Sequence, residues 1–149
     1  MPKTCTVTSP CLLLVVDDEE FMRILFNANR GVFLDKGLDL VIAKSLGQAI
    51  EYLAKYDIMA VLLDLKLPGE SEGAETVKII KEKTDAPIFG FSGAVDSALK
   101  DLCVEYGAHD LFLKGMIELP SLAGILKTAA SNYRNSLEIK EGFNAILGQ

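Results

Sequence analysis

Three observations predict an α/β fold, a doubly wound five-stranded parallel sheet flanked by five helices. Five short runs, at residues 12–16, 38–43, 58–63, 87–91 and 110–113, are apolar at most consecutive positions, as strands covered on both faces require. Between them the apolar residues recur at helical spacing. Strand–helix alternation of this kind is satisfied by right-handed crossovers in a parallel sheet with helices on both sides. Four of the five runs also end in a polar residue able to work on phosphate or metal: Asp17-Asp18, Asp64, Ser92 and Lys114.

Residues 1–10 are polar, Thr-rich and hold two prolines, and read as a flexible lead-in. After the first strand, Asp17-Asp18-Glu19-Glu20 opens a helix with Phe21, Ile24, Leu25 and Ala28 as its apolar positions and Gly31 near its end. Asp35-Lys36-Gly37 turns into the second strand. Ser45 is the expected N-cap of the next helix, whose stripe is Leu46, Ala49, Ile50 and Leu53. The third strand leads through Leu67-Pro68-Gly69 to a helix over about 74–83 that turns Val77 and Ile80 inward. Pro87 is tolerated at the first position of the fourth strand. The following helix carries Ala98, Leu99, Leu102, Cys103 and Tyr106, and ends before Gly107. Cys103 and Tyr106 fit this spacing and read as core. Pro120 suits the first turn of a last helix with the stripe Leu122, Ile125, Leu126, Ala129, Tyr133 and Leu137. The expected organisation is a lead-in over 1–10, one domain over 11–132, and a helix extension or linker over 133–149.

A chain of 149 residues, half hydrophobic and a quarter charged, has room for one domain with a proper core. Its net charge of −6 argues against nucleic acid or an anionic membrane surface as a direct partner. Cys5, Cys11 and Cys103 with the single histidine His109 stand at no zinc spacing, and free thiols in a reducing compartment are the default expectation. No secretory signal and no membrane-length apolar window is visible, which predicts a cytoplasmic protein.

In a doubly wound sheet the parallel strands end on one edge, and ligands bind there where the strand order reverses. Asp17, Asp18 and Asp64 brought together would raise one another's pKa unless neutralised. A hard divalent cation with oxygen ligands is the natural neutraliser, and Mg2+ suits one or two carboxylates with waters and phosphate. Lys114 adds a positive charge on a flexible stem. A carboxylate beside Mg2+ and an ammonium is poised to attack a phosphoryl group and form an acyl phosphate; charge stabilisation from Lys114 and the Ser92 hydroxyl suits that transfer. Glu19 and Glu20 read more simply as acidic residues favoured at a helix N-terminus. Each residue taken singly also has a plain structural explanation. Their coincidence on one edge carries the inference.

This set of acidic pair, acceptor Asp, hydroxyl and Lys at successive strand ends resembles the receiver (CheY-like) domain of bacterial two-component response regulators, over about residues 11–130. The resemblance implies a flavodoxin-like receiver fold and Asp64 as phospho-acceptor. It implies Mg2+ held by Asp17, Asp18, Asp64 and the backbone carbonyl of Lys66. Ser92 takes the place of the hydroxyl residue that follows the phosphoryl group, and Lys114 that of the pairing Lys. Leu67-Pro68-Gly69 and Gly73 match the loop after the acceptor, here one residue longer. Gly115 stands where the family usually has Pro, so glycine's freedom must make the bend. Leu111 stands at the switch position usually held by Tyr or Phe, and the neighbouring Phe112 should face the other way. Lys66, two residues after the acceptor, is expected to slow loss of the phosphoryl group. His109 reads as an ordinary loop residue.

The function expected is a phosphorylation-dependent signalling switch. A histidine kinase or histidine phosphotransfer protein donates to Asp64, and the fourth helix, fifth strand and fifth helix then meet a downstream protein partner. The last helix is suited to homodimerisation or docking. No activity beyond phosphorylation and autodephosphorylation on Asp64 is expected. The alternative is a non-phosphorylated, receiver-like interaction module with a vestigial site. An aspartyl-nucleophile phosphatase is disfavoured because Lys66 stands where a second Asp would be needed. Single-domain regulator and receiver of a hybrid kinase or larger regulator are equally compatible with the chain.

Overall fold

A computed structural model describes residues 4–66 and 73–147; Leu67-Pro68-Gly69 lies outside them. The strands are β1 (Cys11–Val16), β2 (Leu38–Ala43), β3 (Ile58–Asp64), β4 (Ile88–Ser92) and β5 (Asp110–Leu113). The helices are α1 (Glu20–Ala28), α2 (Arg30–Leu34), α3 (Leu46–Lys55), α4 (Ala74–Lys81), α5 (Ser97–Glu105) and α6 (Leu119–Leu147). The strands form one parallel sheet in the order β2-β1-β3-β4-β5. From β1 the chain goes out to β2, then returns to the other side of β1 for β3. The order therefore reverses between β1 and β3, and a crevice opens beyond their C-terminal ends.

Strand alternation shows why the central runs, β1 and β3, are apolar up to their ends. Leu14 and Val16 of β1 join Val61 and Leu63 of β3 on one face, packed against α3, α4 and α5. Cys11, Leu13 and Val15 join Ala60 and Leu62 on the other, against α1, α2 and α6. Successive side chains point to opposite faces, so burial of both leaves no position for a polar residue until the strand ends.

The first helical stretch is two helices, giving six among the described residues where five were expected. Asn29 breaks it: its backbone leaves the helical region, and its side-chain amide donates back to the Leu25 carbonyl at 2.8 Å. The face expected inside is also rotated. Phe21 is 72% and Ile24 57% exposed, while Phe26 is fully buried beside Phe33 and Phe91. Ser45 caps α3 as expected, its Oγ accepting from the Gln48 amide at 3.1 Å. On α5, Cys103 is buried as read from its spacing, but Leu102 is exposed. On α6 the buried residues are Leu122, Ala123, Leu126, Ala130 and Ser131; Ile125 is 41% exposed. The sequence stripe merged two faces of this helix.

The expectation of free thiols is overturned for two cysteines. Cys5 and Cys11 form a disulfide, with Cα atoms 5.3 Å apart; Cys103 is free and buried. The Thr6–Ser9 turn, closed by Thr6 N–H to the Ser9 carbonyl at 3.2 Å, brings the pair together. Residues 4–10, read as a flexible lead-in, make packed contacts. Cys5 is fully buried and its amide donates to Ser131 Oγ at 2.9 Å. Arg134 donates to the Ser9 carbonyl and Oγ at 2.9 and 2.8 Å. Gly37, at φ 82°, makes room for this segment, since a Cβ there would collide with the Cys5–Thr6 backbone.

Candidate functional site

The crevice collects the residues singled out from the sequence. Asp17 follows β1, Asp64 ends β3, Ser92 ends β4 and Lys114 follows β5. Asp17, Asp64 and Ser92 are buried, and Asp18 is partly so. Carboxylate oxygens of Asp17, Asp18 and Asp64 all lie within 4.8 Å of one another.

Each carboxylate is held differently. Asp17 Oδ1 accepts the Glu19 amide at 3.0 Å, and its backbone carbonyl accepts from Arg23 Nη1 at 3.0 Å, which fixes the first turn of α1. Asp64 Oδ1 accepts the Lys66 amide at 3.0 Å. Lys114 Nζ reaches Asp17 Oδ2 at 3.0 Å, Glu19 Oε1 at 3.2 Å and Asp64 Oδ2 at 3.4 Å, and stands 5.8 Å above the Phe91 ring. Two buried oxygens, Asp18 Oδ1 and Asp64 Oδ2, have no hydrogen-bond partner among the described residues. Buried polar atoms are almost always paired.

The electrostatics follow. Burial, then the neighbouring Asp64, raises the Asp18 pKa above its ordinary value. Burial and the nearby Asp17 raise that of Asp64, although the Lys66 amide and Lys114 oppose the shift. Burial alone would lower the Lys114 pKa, but Asp17, Asp64 and Glu19 outweigh it and hold the ammonium charged. Raised carboxyl pKa values at Asp18 and Asp64, with Asp18 Oδ1 buried without a hydrogen bond and Asp64 Oδ2 met by Lys114 at 3.4 Å, mark the donor set a hard cation takes. These residues fit a divalent ion, which Asp17, Asp18 and Asp64 would hold.

Ser92 Oγ donates to the Ala94 carbonyl at 3.0 Å, folding over its own loop, while the Lys114 amide donates to the Ser92 carbonyl at 2.8 Å. Gly115 takes φ 83°, the bend expected of it. Leu111 is buried among the residues facing α4 and α5, and Phe112 lies on the opposite face, stacked 5.7 Å from Phe89. Lys66 is exposed. His109 is exposed, its ring 5.6 Å from Phe89 and away from the acidic cluster. Sequence reasoning passed over Glu19, Arg23 and Phe91. Glu19 had a signal in the acidic run, but one that helix-terminus preference explains equally well. Arg23 and Phe91 act through a backbone carbonyl and a ring face, which leave no mark in residue type.

A parallel sheet of this order, with an acidic cluster and a lysine at its switch point, defines a class of phosphoryl- and metal-handling α/β domains. The response regulator receiver domain family matches residues 13–126, and the chain belongs to that family. It is 33% identical over 106 residues to an NtrX-like response regulator of Rickettsia felis, covering 68% of this chain and 21% of that one. It is 28% identical over 102 residues to the aerobic respiration control protein ArcA of Escherichia coli K12, covering 68% and 41%. The chain thus spans well under half the length of the curated relatives it matches. Its fold is that of a CheY-like receiver domain from Methanospirillum hungatei, with a TM-score of 0.72 at 18% identity, covering 86% of this chain and 99% of that one. No helix among the described residues is long and apolar enough to cross a membrane.

Proposed function

We propose that this domain is a phosphorylation-dependent switch of a two-component phosphorelay, with Asp64 as acceptor. The observation that carries the reading is the Asp64 carboxylate itself. Its Oδ1 is engaged by the Lys66 amide, whereas Oδ2 is buried without a hydrogen bond and faces Asp18 and Lys114. Oδ2 is the nucleophile. It attacks the phosphorus of a phosphohistidine on a histidine kinase or phosphotransfer protein; the O–P bond forms as the P–N bond breaks, and the imidazole leaves with the electron pair. Asp17, Asp18, Asp64 and the Lys66 backbone carbonyl would hold Mg2+, which would neutralise charge on the transferring oxygens. Water later hydrolyses the acyl phosphate and restores Asp64.

The chain's own residues do the rest. Lys114 pairs with a phosphoryl oxygen in place of one of its carboxylate contacts. Ser92 exchanges its bond to the Ala94 carbonyl for one to the phosphoryl group, which draws the loop before α5 inward. That movement biases the α5–β5–α6 face toward a downstream protein partner. Exposed Phe21 and Ile24 on α1, close in sequence to Asp17 and Asp18, give the donor protein an apolar landing area.

The test is intact-protein mass after incubation with a small acyl phosphate, with and without Mg2+, on the natural chain and on Asp64→Asn. One phosphoryl adduct that needs both Mg2+ and Asp64 is expected. No adduct on the natural chain would favour the vestigial interaction module.

A further inference from the structure

Helix α6 carries two apolar faces, and the chain uses one of them. The core side holds Leu122, Ala123, Leu126 and Ala130, all buried. Continued at about 100° per residue, that side falls on Leu137, Glu141 and Asn144. The exposed apolar residues of the second half fall elsewhere: Ile139 is 73% exposed, Phe143 60%, Ile146 73% and Leu147 67%. Phe143 stands about five full turns after Ile125, so the two share one side of the helix. Ile125, Ala129, Asn132, Ser136, Ile139 and Phe143 follow one another at alternating four- and three-residue spacing, and Ile146 continues the seam, the pattern of a helix built to meet another helix.

The first half of that seam is the wall of a groove of about 750 Å³. Helix α6 packs over β1 and β3, and beside it the groove reaches the start of β4 and the loop before β5, where Phe89 is buried and His109 exposed. Pro87, Phe89, His109 and Asp85 form the far wall, with Ile125, Ala129 and Tyr133 on the α6 side. One helix therefore presents an apolar tail and, further back on the same side, an apolar groove.

We propose that this seam is an interface with a second copy of the chain: two α6 helices pair antiparallel about a two-fold axis at Ser136, each seating its tail in the other's groove. Such an axis fixes every facing pair. Phe143 faces Ala129, the largest tail side chain over a small groove residue. Leu147 faces Ile125, and Ile139 faces Tyr133. Lys140 faces Asn132, across the groove from Asp85, so an ammonium enters a groove that also carries a carboxylate. The small Ser136 at the crossing lets the helices approach. A parallel pair would set Phe143 on Phe143 and leave both grooves open. The antiparallel one is isologous and covers each tail and each groove in a single association. The interface touches none of the acidic cluster, so it forms in the unphosphorylated chain and stands apart from the reading of Asp64.

Sedimentation velocity on residues 1–149 tests it, with Phe143→Glu and Ile139→Glu as variants whose side chains project from the solvent side of α6. The natural chain should sediment as a dimer, and either variant should raise the dissociation constant at least about tenfold with an unchanged circular dichroism spectrum. Orientation is read by a short bismaleimide. Chains carrying Asn132→Cys and Lys140→Cys should couple to each other when mixed and only weakly to themselves; Cys103 is buried and Cys5 is bonded to Cys11, so neither competes. A natural chain that stays monomeric at high concentration, a dimer that both variants leave intact, or efficient self-coupling of Lys140→Cys would each overturn the proposal.

Discussion

Lys114 Nζ lies 3.0 Å from Asp17 Oδ2 and 3.4 Å from Asp64 Oδ2, and both carboxylates are buried. One ammonium therefore compensates two buried anions as well as touching Glu19. Removing it strands both charges, which is far more costly than losing an exposed ion pair. Lys114→Ala should lose about 3 kcal/mol of stability in metal-free urea unfolding. Mg2+ should restore more stability to the variant than to the natural chain, because it replaces the missing positive charge. A metal-free loss under about 0.5 kcal/mol would mean that water already neutralises the site.

The same cluster sets a pH dependence. The carboxyl pKa values of Asp18 and Asp64 are raised in the fold above 3.8, by burial first. Between that ordinary value and the raised ones, the folded chain binds more protons than the unfolded chain. Stability contributed by these groups therefore falls as pH rises through that window. Asp64→Asn removes part of this penalty. Without metal, the variant should be more stable than the natural chain at neutral pH, and the gap should close toward pH 4. Thermal unfolding across pH 4–8 checks it; a gap that widens on acidification would reverse the sign and refute the argument.

The candidate site was legible because Asp17, Asp64, Ser92 and Lys114 each stand at the end of an apolar run, where strand geometry leaves one place for them. Asp64 and Lys114 needed no tertiary information beyond the sheet. Helix faces were less legible. Phe21 and Ile24 have helical spacing yet face outward, because Asn29 ends α1 early and α2 turns Phe33 into the space beside Phe26. On α6, Ile125 and Leu126 are neighbours in one sequence stripe but belong to different faces. The Cys5–Cys11 bond depended on a turn packed over Gly37, a contact that spacing alone does not reveal. The orientation of Ser92 toward Ala94 is likewise a property of the loop, invisible in residue type.

Lys66 follows the acceptor by two residues and its side chain is exposed, while its amide holds Asp64 Oδ1. If Asp64 is the acceptor, an ammonium beside it would hinder the water that attacks the acyl phosphate. Lys66→Ala keeps the amide and removes the charge, so phosphoryl acceptance should persist while loss of phosphate accelerates several-fold, roughly 1 kcal/mol in barrier. Decay of the phosphorylated mass at fixed Mg2+ measures it. Decay no faster than that of the natural chain would remove Lys66 from the hydrolytic step.

Leu111 packs across Gly90 on the neighbouring strand, where a Cβ would come within 2.5 Å of Leu111 Cδ1. The glycine is required by this close approach, not by its backbone angle. Leu111 is 6% exposed and helps fill the space under α4 and α5. Gly90→Ala should therefore destabilise the fold by about 1–3 kcal/mol through overpacking, and Leu111→Ala by about 2–4 kcal/mol through a cavity. Together the two changes should cost less than their sum, since the new methyl occupies space the leucine vacates. A double-mutant cycle by urea unfolding measures that coupling. Additivity would mean the two side chains do not compete for one volume.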